Sequence, residues 1–271
     1  MIVDIFLTYK DRKFLFEESL RSFMENTPRS LYRLTIICDG FGVPAFLKEL
    51  DVDYILESKE NMGLGPTLNQ ALSHIDTLNK WYESSPLKED NEKASQFVCY
   101  CQDDLLYSKN WLETLTKMFL VFERQMNLGF ASGIECIEHK IKEKGPDGII
   151  FKDWIRAANM FARRDYWMSM FPIPPFDPET RRKRAKPNDG MGSGVDWWFI
   201  RNAENSVCRS GRTCLVIPSL LKHLGYNRST WLDRAMPESE EDKKQIQRHG
   251  LDELSRLGQE LQGYDDDDDK W

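Results

Sequence analysis

An α/β fold, with a wound parallel sheet covered by helices, is predicted by two features of the chain. Short β-rich apolar runs alternate with amphipathic stretches, and 271 residues that are 41% hydrophobic are enough to bury one large core or two fused subdomains. The alternation runs from Ile2 to Leu7, then Phe14 to Met24; from Leu34 to Cys38, then Val43 to Leu50; and from Val52 to Leu56, then Gly65 to Ile75. A polar insertion between Trp81 and Ser95 reads as a solvated loop. Phe97 to Cys101 is a fourth strand that leads into Gln102-Asp103-Asp104. Ser108 is placed to cap a helix from Lys109 to about Gln125, whose Leu112, Leu115 and Phe119 fall at helical spacing.

Beyond residue 125 the pattern loosens. Gly129 to Ile134 and Ile149 to Phe161 read as strands, whereas Pro172 to Gly194 is rich in Pro, Gly and charge and reads as a lid or a disordered connector. A helix is expected to start near Gly194 and to carry Val195 to Phe199, and Thr213 to Ile217 reads as a further strand. Ile246, Leu251, Leu254, Leu257 and Leu261 are spaced for a docked terminal helix.

Composition excludes several classes. Apolar runs such as Met118 to Phe122 fall far short of the roughly 20 residues that a membrane span needs. The first twelve residues carry Asp4 within the apolar stretch and no basic segment ahead of it, so a cytoplasmic location is expected. The six cysteines show no Cys-x-x-Cys spacing and read as reduced, buried thiols. Of the net charge of −7, the five aspartates and one lysine at 265–270 contribute −4 and leave −3 for the rest, a mildly acidic body that argues against a dedicated nucleic-acid coat. That Asp run resembles a cleavable tag or a solvated tail and is set aside from the fold.

Ligands of open α/β sheets bind beyond the carboxyl ends of the strands, so the polar residues there carry the functional signal. Strand one ends in Thr8-Tyr9-Lys10-Asp11-Arg12, strand two in Asp39-Gly40, strand three in Glu57 with Asn61-Met62-Gly63 following, and strand four in Gln102-Asp103-Asp104. Neither a Gly-x-Gly-x-x-Gly turn after strand one nor a P-loop Gly-Lys-Ser/Thr occurs, which weakens hydride transfer and P-loop phosphoryl transfer. Two adjacent carboxylates emerging from an apolar strand need a cation or donors to offset their repulsion. Mg²⁺ or Mn²⁺ suits such a pair, with water and phosphate oxygens in its other positions, although an aspartate that caps a helix is the bland alternative.

The ordered set IFLTYKDR, ICDG, NMGLGPTLNQAL, YCQDDLLYSKNWLETL, GVDWWFIR and SLLKHLGYNRS, over roughly residues 2 to 230, resembles the family 2 glycosyltransferases of GT-A fold. The resemblance implies a Rossmann-like nucleotide-binding sheet flanked by helices and fused to an acceptor-side subdomain. It implies an enzyme that moves a sugar, with inversion, from a nucleotide diphosphate donor, usually a uridine one, to a hydroxyl acceptor. The domain would span 1–235, with a nucleotide-binding half at 1–125 and an acceptor half at 126–235 that includes the lid at 172–194; a helix at 236–264 and an acidic tail at 265–271 would follow. Thr8, Tyr9 and Asp39 match positions that hold base and ribose, and Lys10 and Arg12 lie in the same segment. Asn61, Gly63 and Asn69 match a segment beside the nucleotide. Gln102-Asp103-Asp104 stands where the family has Asp-x-Asp; Asp104 matches the metal-binding acid, and Asp103 would face ribose or sugar. Gln102 departs from that pattern, because an amide carries no charge, so the metal would lean on Asp104 and on His223, which matches a late histidine of the family. Asp196 matches the catalytic base, with Trp197 and Trp198 as an apolar wall for a sugar face.

Arg182 and Arg184 belong to a run of five positive charges at 181–186 within the lid, which would close over a diphosphate, steer a polyanionic acceptor or simply be solvated. Arg156 and Arg163 would line an acceptor or diphosphate pocket or form structural ion pairs. The acceptor is a saccharide or a nucleic acid, including a hydroxymethylated base in viral DNA. Two other readings stay open: a nucleotidyltransferase on the same fold, and a non-catalytic module that binds glycan or nucleic acid through the tryptophans and the lid.

Overall fold

The computed structural model describes residues 1–9, 13–40, 42–87, 89, 93–134, 141–155, 157–174 and 198–224. The chain divides into two compact units, Met1–Lys222 and His223–Trp271. In the first unit the predicted alternation is present as β1 (Val3–Tyr9), α1 (Lys13–Asn26), β2 (Tyr32–Asp39), β3 (Tyr54–Ser58), α2 (Leu64–Ser84) and β4 (Phe97–Cys101). There follow β5 (Leu105–Tyr107), α3 (Trp111–Phe122), β6 (Leu128–Ser132), β7 (Ile141–Lys144), β8 (Ile150–Lys152), β9 (Asn159–Arg163), α4 (Arg164–Met168), β10 (Thr213–Val216) and β11 (Leu221–His223).

Nine strands form one sheet in the order β3-β2-β1-β4-β9-β6-β10-β8-β7, and β5 pairs with β11 in a separate ribbon. The first four strands are mutually parallel, as the alternation predicts. Past β4 the sheet is mixed: β9 runs antiparallel to both β4 and β6, and β8 antiparallel to β10 and β7. Ile149 to Phe161 is therefore two strands and not one, because the chain leaves β8 at Lys152 and returns to β4 only at Asn159.

Strand alternation distributes the core over two layers. On one face Val3, Ile5 and Leu7 of β1 pack with Phe16, Leu20 and Phe23 of α1 and with Trp111, Leu115 and Phe119 of α3. On the other, Phe6 packs with Leu68, Leu72 and Ile75 of α2 and with Trp167 of α4. Each such fully buried side chain contributes roughly 1.5–3 kcal/mol relative to exposure. Trp111 also gives its indole N–H to Thr27 Oγ1 at 2.7 Å, so its one polar atom is not stranded in the core.

Two local expectations are corrected. Val43 to Leu50 forms only a 3₁₀ turn, Ala45–Glu49, that starts after Pro44. Ser108 does not cap α3. Asn110 holds the N-cap in the left-handed region at φ 59, and Ser108 meets the helix only through its carbonyl, which accepts from Trp111 N–H at 3.2 Å. The helix therefore starts past Ser108, and an asparagine tolerates the left-handed backbone at its N-cap better than most residues.

At the amino end of the sheet a charged network is buried. The Arg33 guanidinium donates to Asp4 Oδ1 at 2.6 Å, the Asn79 amide donates to Asp4 Oδ2 at 2.5 Å, and Ser95 N–H donates to Asn79 Oδ1 at 2.5 Å. Burial pushes the Asp4 carboxyl up, against the opposing pull of Arg33 and Asn79. The network joins β1, β2, α2 and the segment before β4.

Candidate active site

The register of the parallel strands builds one polar edge. Tyr9 lies opposite Cys38 and Leu7 opposite Cys101, while Asp39 lies opposite Ser58. The carboxyl ends of β1, β2, β3 and β4, with Thr8, Tyr9, Asp39 and Gln102-Asp103-Asp104, therefore share one edge.

At β2 and β3 the edge is closed by backbone amides. Asp39 Oδ1 accepts from Met62 N–H at 2.8 Å and Oδ2 from Gly63 N–H at 3.2 Å, while Asn61 Oδ1 accepts from the same Gly63 N–H at 3.1 Å. Gly40 makes this possible: its φ is +85°, and a Cβ there would stand 2.2 Å from Asn61 N. Gly63, at φ 78, then opens α2, and Thr67 Oγ1 donates to its carbonyl at 2.7 Å. Asn61 itself is exposed at the rim.

At β4, Asp103 and Asp104 are 5% and 1% exposed, so two adjacent carboxyl groups are buried where the strand ends. Gln102 N–H donates to Ala158 O at 2.9 Å, which ties the acid pair to the entry of β9. Thr8 Oγ1 lies 3.4 Å from the Tyr100 hydroxyl, and burial, with Asp103 and Asp104 nearby, pushes the Tyr100 phenol up. Behind the pair stands Asn159, which pattern reading missed. Its Oδ1 accepts from Gly133 N–H at 2.8 Å, and its amide donates to Tyr100 O at 3.3 Å and toward Cys99 and Cys101 Sγ at 3.4 and 3.3 Å. A polar residue starting a short strand gives no signal in the sequence; only its cross-strand partners reveal it.

Other predicted site residues lie elsewhere. Arg163 pairs with Phe97 at the amino end of β4, away from the acid edge. There it grips Glu123 through two hydrogen bonds of 2.7 Å and covers the Phe97 ring at 4.5 Å, so it is a structural ion pair, not part of a ligand pocket. Asn69 turns both amide atoms to one backbone unit, donating to Ile173 O at 2.7 Å and accepting from Ile173 N–H at 2.8 Å. Trp198 begins a π-helical turn, Trp198–Asn202, and packs beside Phe199 at a ring separation of 5.6 Å. His223 is buried at the end of β11 and belongs to the second unit. Lys10, Arg12, Arg156, Arg182, Arg184, Asp196 and Trp197 lie outside the described residues, as do most of the lid and the terminal helix.

Among the described residues no three His, Cys, Asp or Glu side chains cluster as a ready-made metal site. The hard oxygens of Asp103 and Asp104 suit Mn²⁺ or Mg²⁺, which binds through one or two carboxylates and completes its shell with water and phosphate. Among the described residues no helix is long and apolar enough to cross a membrane.

No family model and no curated protein matches the chain. Solved structures do resemble it. A crystal structure of GalNAc-T7 with UDP, GalNAc and Mn²⁺ superposes on 94% of the chain at a TM-score of 0.54 and 11% identity. The chain spans 50% of that protein's length. Weaker likenesses are to residues 1–349 of TarS from S. aureus, with a TM-score of 0.49, 12% identity, and 94% of this chain and 65% of that one, and to a Pyrobaculum calidifontis mannosyltransferase in complex with GDP-Man and Mn²⁺, with a TM-score of 0.44, 13% identity, and 64% and 47%. The fold is thus the GT-A fold, a mixed α/β sheet flanked by helices.

Proposed function

We propose that the chain is a metal-dependent, inverting glycosyltransferase that uses a nucleotide diphosphate sugar, a uridine diphosphate sugar in particular. The observation that carries this reading is the buried Asp103-Asp104 pair at the carboxyl end of β4, on the same sheet edge as Asp39 and Thr8, in a GT-A fold. The nucleotide would lie along the ends of β1 and β2, its base and ribose at Thr8, Tyr9 and Asp39 and beside Asn61 and Gly63. Gln102 and Asp103 would address the ribose or the sugar. Asp104 would hold Mn²⁺ or Mg²⁺, and the assignment of His223 to that ion rests on the sequence resemblance alone; when bound, the ion offsets the charge that grows on the departing diphosphate.

Asp196 would act as the general base. As the acceptor hydroxyl oxygen bonds to the anomeric carbon, its proton passes to the Asp196 carboxylate, and the bond from the anomeric carbon to the diphosphate oxygen breaks with its electron pair going to the diphosphate. This single displacement inverts the anomeric centre. The role of Asp196 rests on the sequence resemblance. The acceptor would be a saccharide, or a nucleic acid met by the basic run at 181–186.

The test is turnover of nucleotide sugars with Mn²⁺ present, read as release of nucleoside diphosphate. Asp104→Ala should remove metal-dependent turnover, and Asp196→Ala should slow it by about 10²- to 10⁴-fold while donor binding persists. Undiminished turnover in the Asp196 variant would remove it from the base role. Pyrophosphate released from a nucleoside triphosphate, with no sugar transfer, would favour a nucleotidyltransferase instead.

A further inference from the structure

The ladder between β6 and β9 is short. It holds one pair, Ala131 opposite Phe161. Two residues further in the same register Gly133 falls opposite Asn159, and there a side chain takes the place of the ladder: Asn159 Oδ1 accepts from Gly133 N–H at 2.8 Å. The amide of the same side chain donates to Tyr100 O at 3.3 Å and toward the Cys99 and Cys101 thiols. One asparagine thus offers an acceptor to β6 and a donor to β4, as a peptide unit would, and ties the two strands that flank β9.

Both ends of this tie are fixed. Asn159 is fully buried, and Gly133 O accepts from Leu221 N–H at 2.8 Å. A Cβ on Gly133 would stand 2.8 Å from Leu221 Cγ, so no side chain is tolerated at that close approach. On the β4 side Cys101 is the last residue paired with both neighbours, Leu7 of β1 and Asn159 of β9. Past it Gln102 N–H donates to Ala158 O at 2.9 Å, and Leu105 N–H donates to Ser19 Oγ at 3.2 Å. The acid pair Asp103-Asp104 is strung between these two backbone anchors, and the first of them follows directly on the stretch that Asn159 holds.

We infer that Asn159 is a positioning residue for the acid pair: by tying β4 to β6 it holds the backbone that presents Asp103 and Asp104 to a divalent cation. This rests on the metal-dependent reading of the site. Asn159 acts through the Tyr100 backbone and not on the ion, in the way that hydrogen-bonded groups behind carboxylate ligands fix their orientation. Its loss frees Gly133 N–H and Tyr100 O together, and two buried groups left unpaired drive the strand ends to rearrange.

The test is Mn²⁺ binding to the full chain with UDP present, followed by the paramagnetic resonance signal of the free ion, with UDP alone as the blank. Asn159→Leu, close in volume but without polar atoms, should weaken Mn²⁺ binding about tenfold. Asn159→Ser, whose single short hydroxyl cannot span both strands, should weaken it as well and serves where leucine prevents folding. Ile75→Ala truncates the core on α2 one turn before Asn79, toward the amino end of the sheet. It should unfold at a lower temperature and still bind Mn²⁺ as the wild type does. Wild-type affinity in a folded Asn159→Ser chain overturns the inference and leaves the metal-dependent reading standing, and so does an equal loss in Ile75→Ala. A wild-type chain that takes up no Mn²⁺ beyond the UDP blank overturns that reading itself, and this inference with it.

Discussion

Gly40 shows how one residue can shape the carboxyl edge of the sheet. Its positive φ and the 2.2 Å that a Cβ would leave to Asn61 N mean that any side chain must displace the backbone that presents Asn61 and Gly63. Gly40→Ala should therefore lower stability by about 1–3 kcal/mol, measured as a shift of the urea midpoint, and should weaken nucleotide binding in the protein that still folds. An insensitive midpoint would show that this turn relaxes freely. Asp39 is legible at this scale, since an acid that ends an apolar strand stands out. The capture of both its oxygens by Met62 and Gly63 amides is not, because those donors lie 23 and 24 residues away. Arg163 shows the converse: from the sequence an arginine there is either a ligand contact or half of a structural ion pair, and only its partner Glu123, 40 residues distant, identifies the ion pair.

At the scale of elements, the first four strands and the helices α1 and α2 follow the apolar periodicity of the chain, because each is long enough for its period to repeat. The strands β5, β7 and β11 span three or four residues and carry no such repeat. β7 is exposed throughout, and its Ile-Lys-Glu-Lys sequence protects the sheet edge with charge. α2 is held to the segment after α4 by Asn69, whose partner Ile173 is 104 residues away. Asn69→Ala should strand one donor and one acceptor of Ile173 at a cost of about 1–3 kcal/mol, and should speed hydrogen exchange at the Ile173 amide before it affects the sheet. Exchange there at the wild-type rate would show that the tether is dispensable.

For the molecule as a whole, the division of labour between the two ends of the sheet matters most. The amino end is locked by Asp4, Arg33 and Asn79, all buried and mutually bonded, while the carboxyl end carries the acids and amides that the proposed function assigns to a ligand. Asp4→Ala would leave the Arg33 guanidinium buried without its main counter-charge and should cost about 3–5 kcal/mol in thermal or denaturant unfolding. A loss below about 1 kcal/mol would mean that Arg33 finds water or Asn79 alone sufficient. The strand alternation and the polar residues just past the strand ends are local properties of the chain, so the amino-acid sequence by itself determines the α/β class and the acid-rich edge. Strand order beyond β4, the antiparallel return of β9, and the separation of ligand-facing groups from those such as Asn69 and Arg163 that bond within the protein are decided by the tertiary structure. Each depends on partners dozens of residues distant, and a hydrogen bond or ion pair over that separation leaves no periodic trace in the sequence.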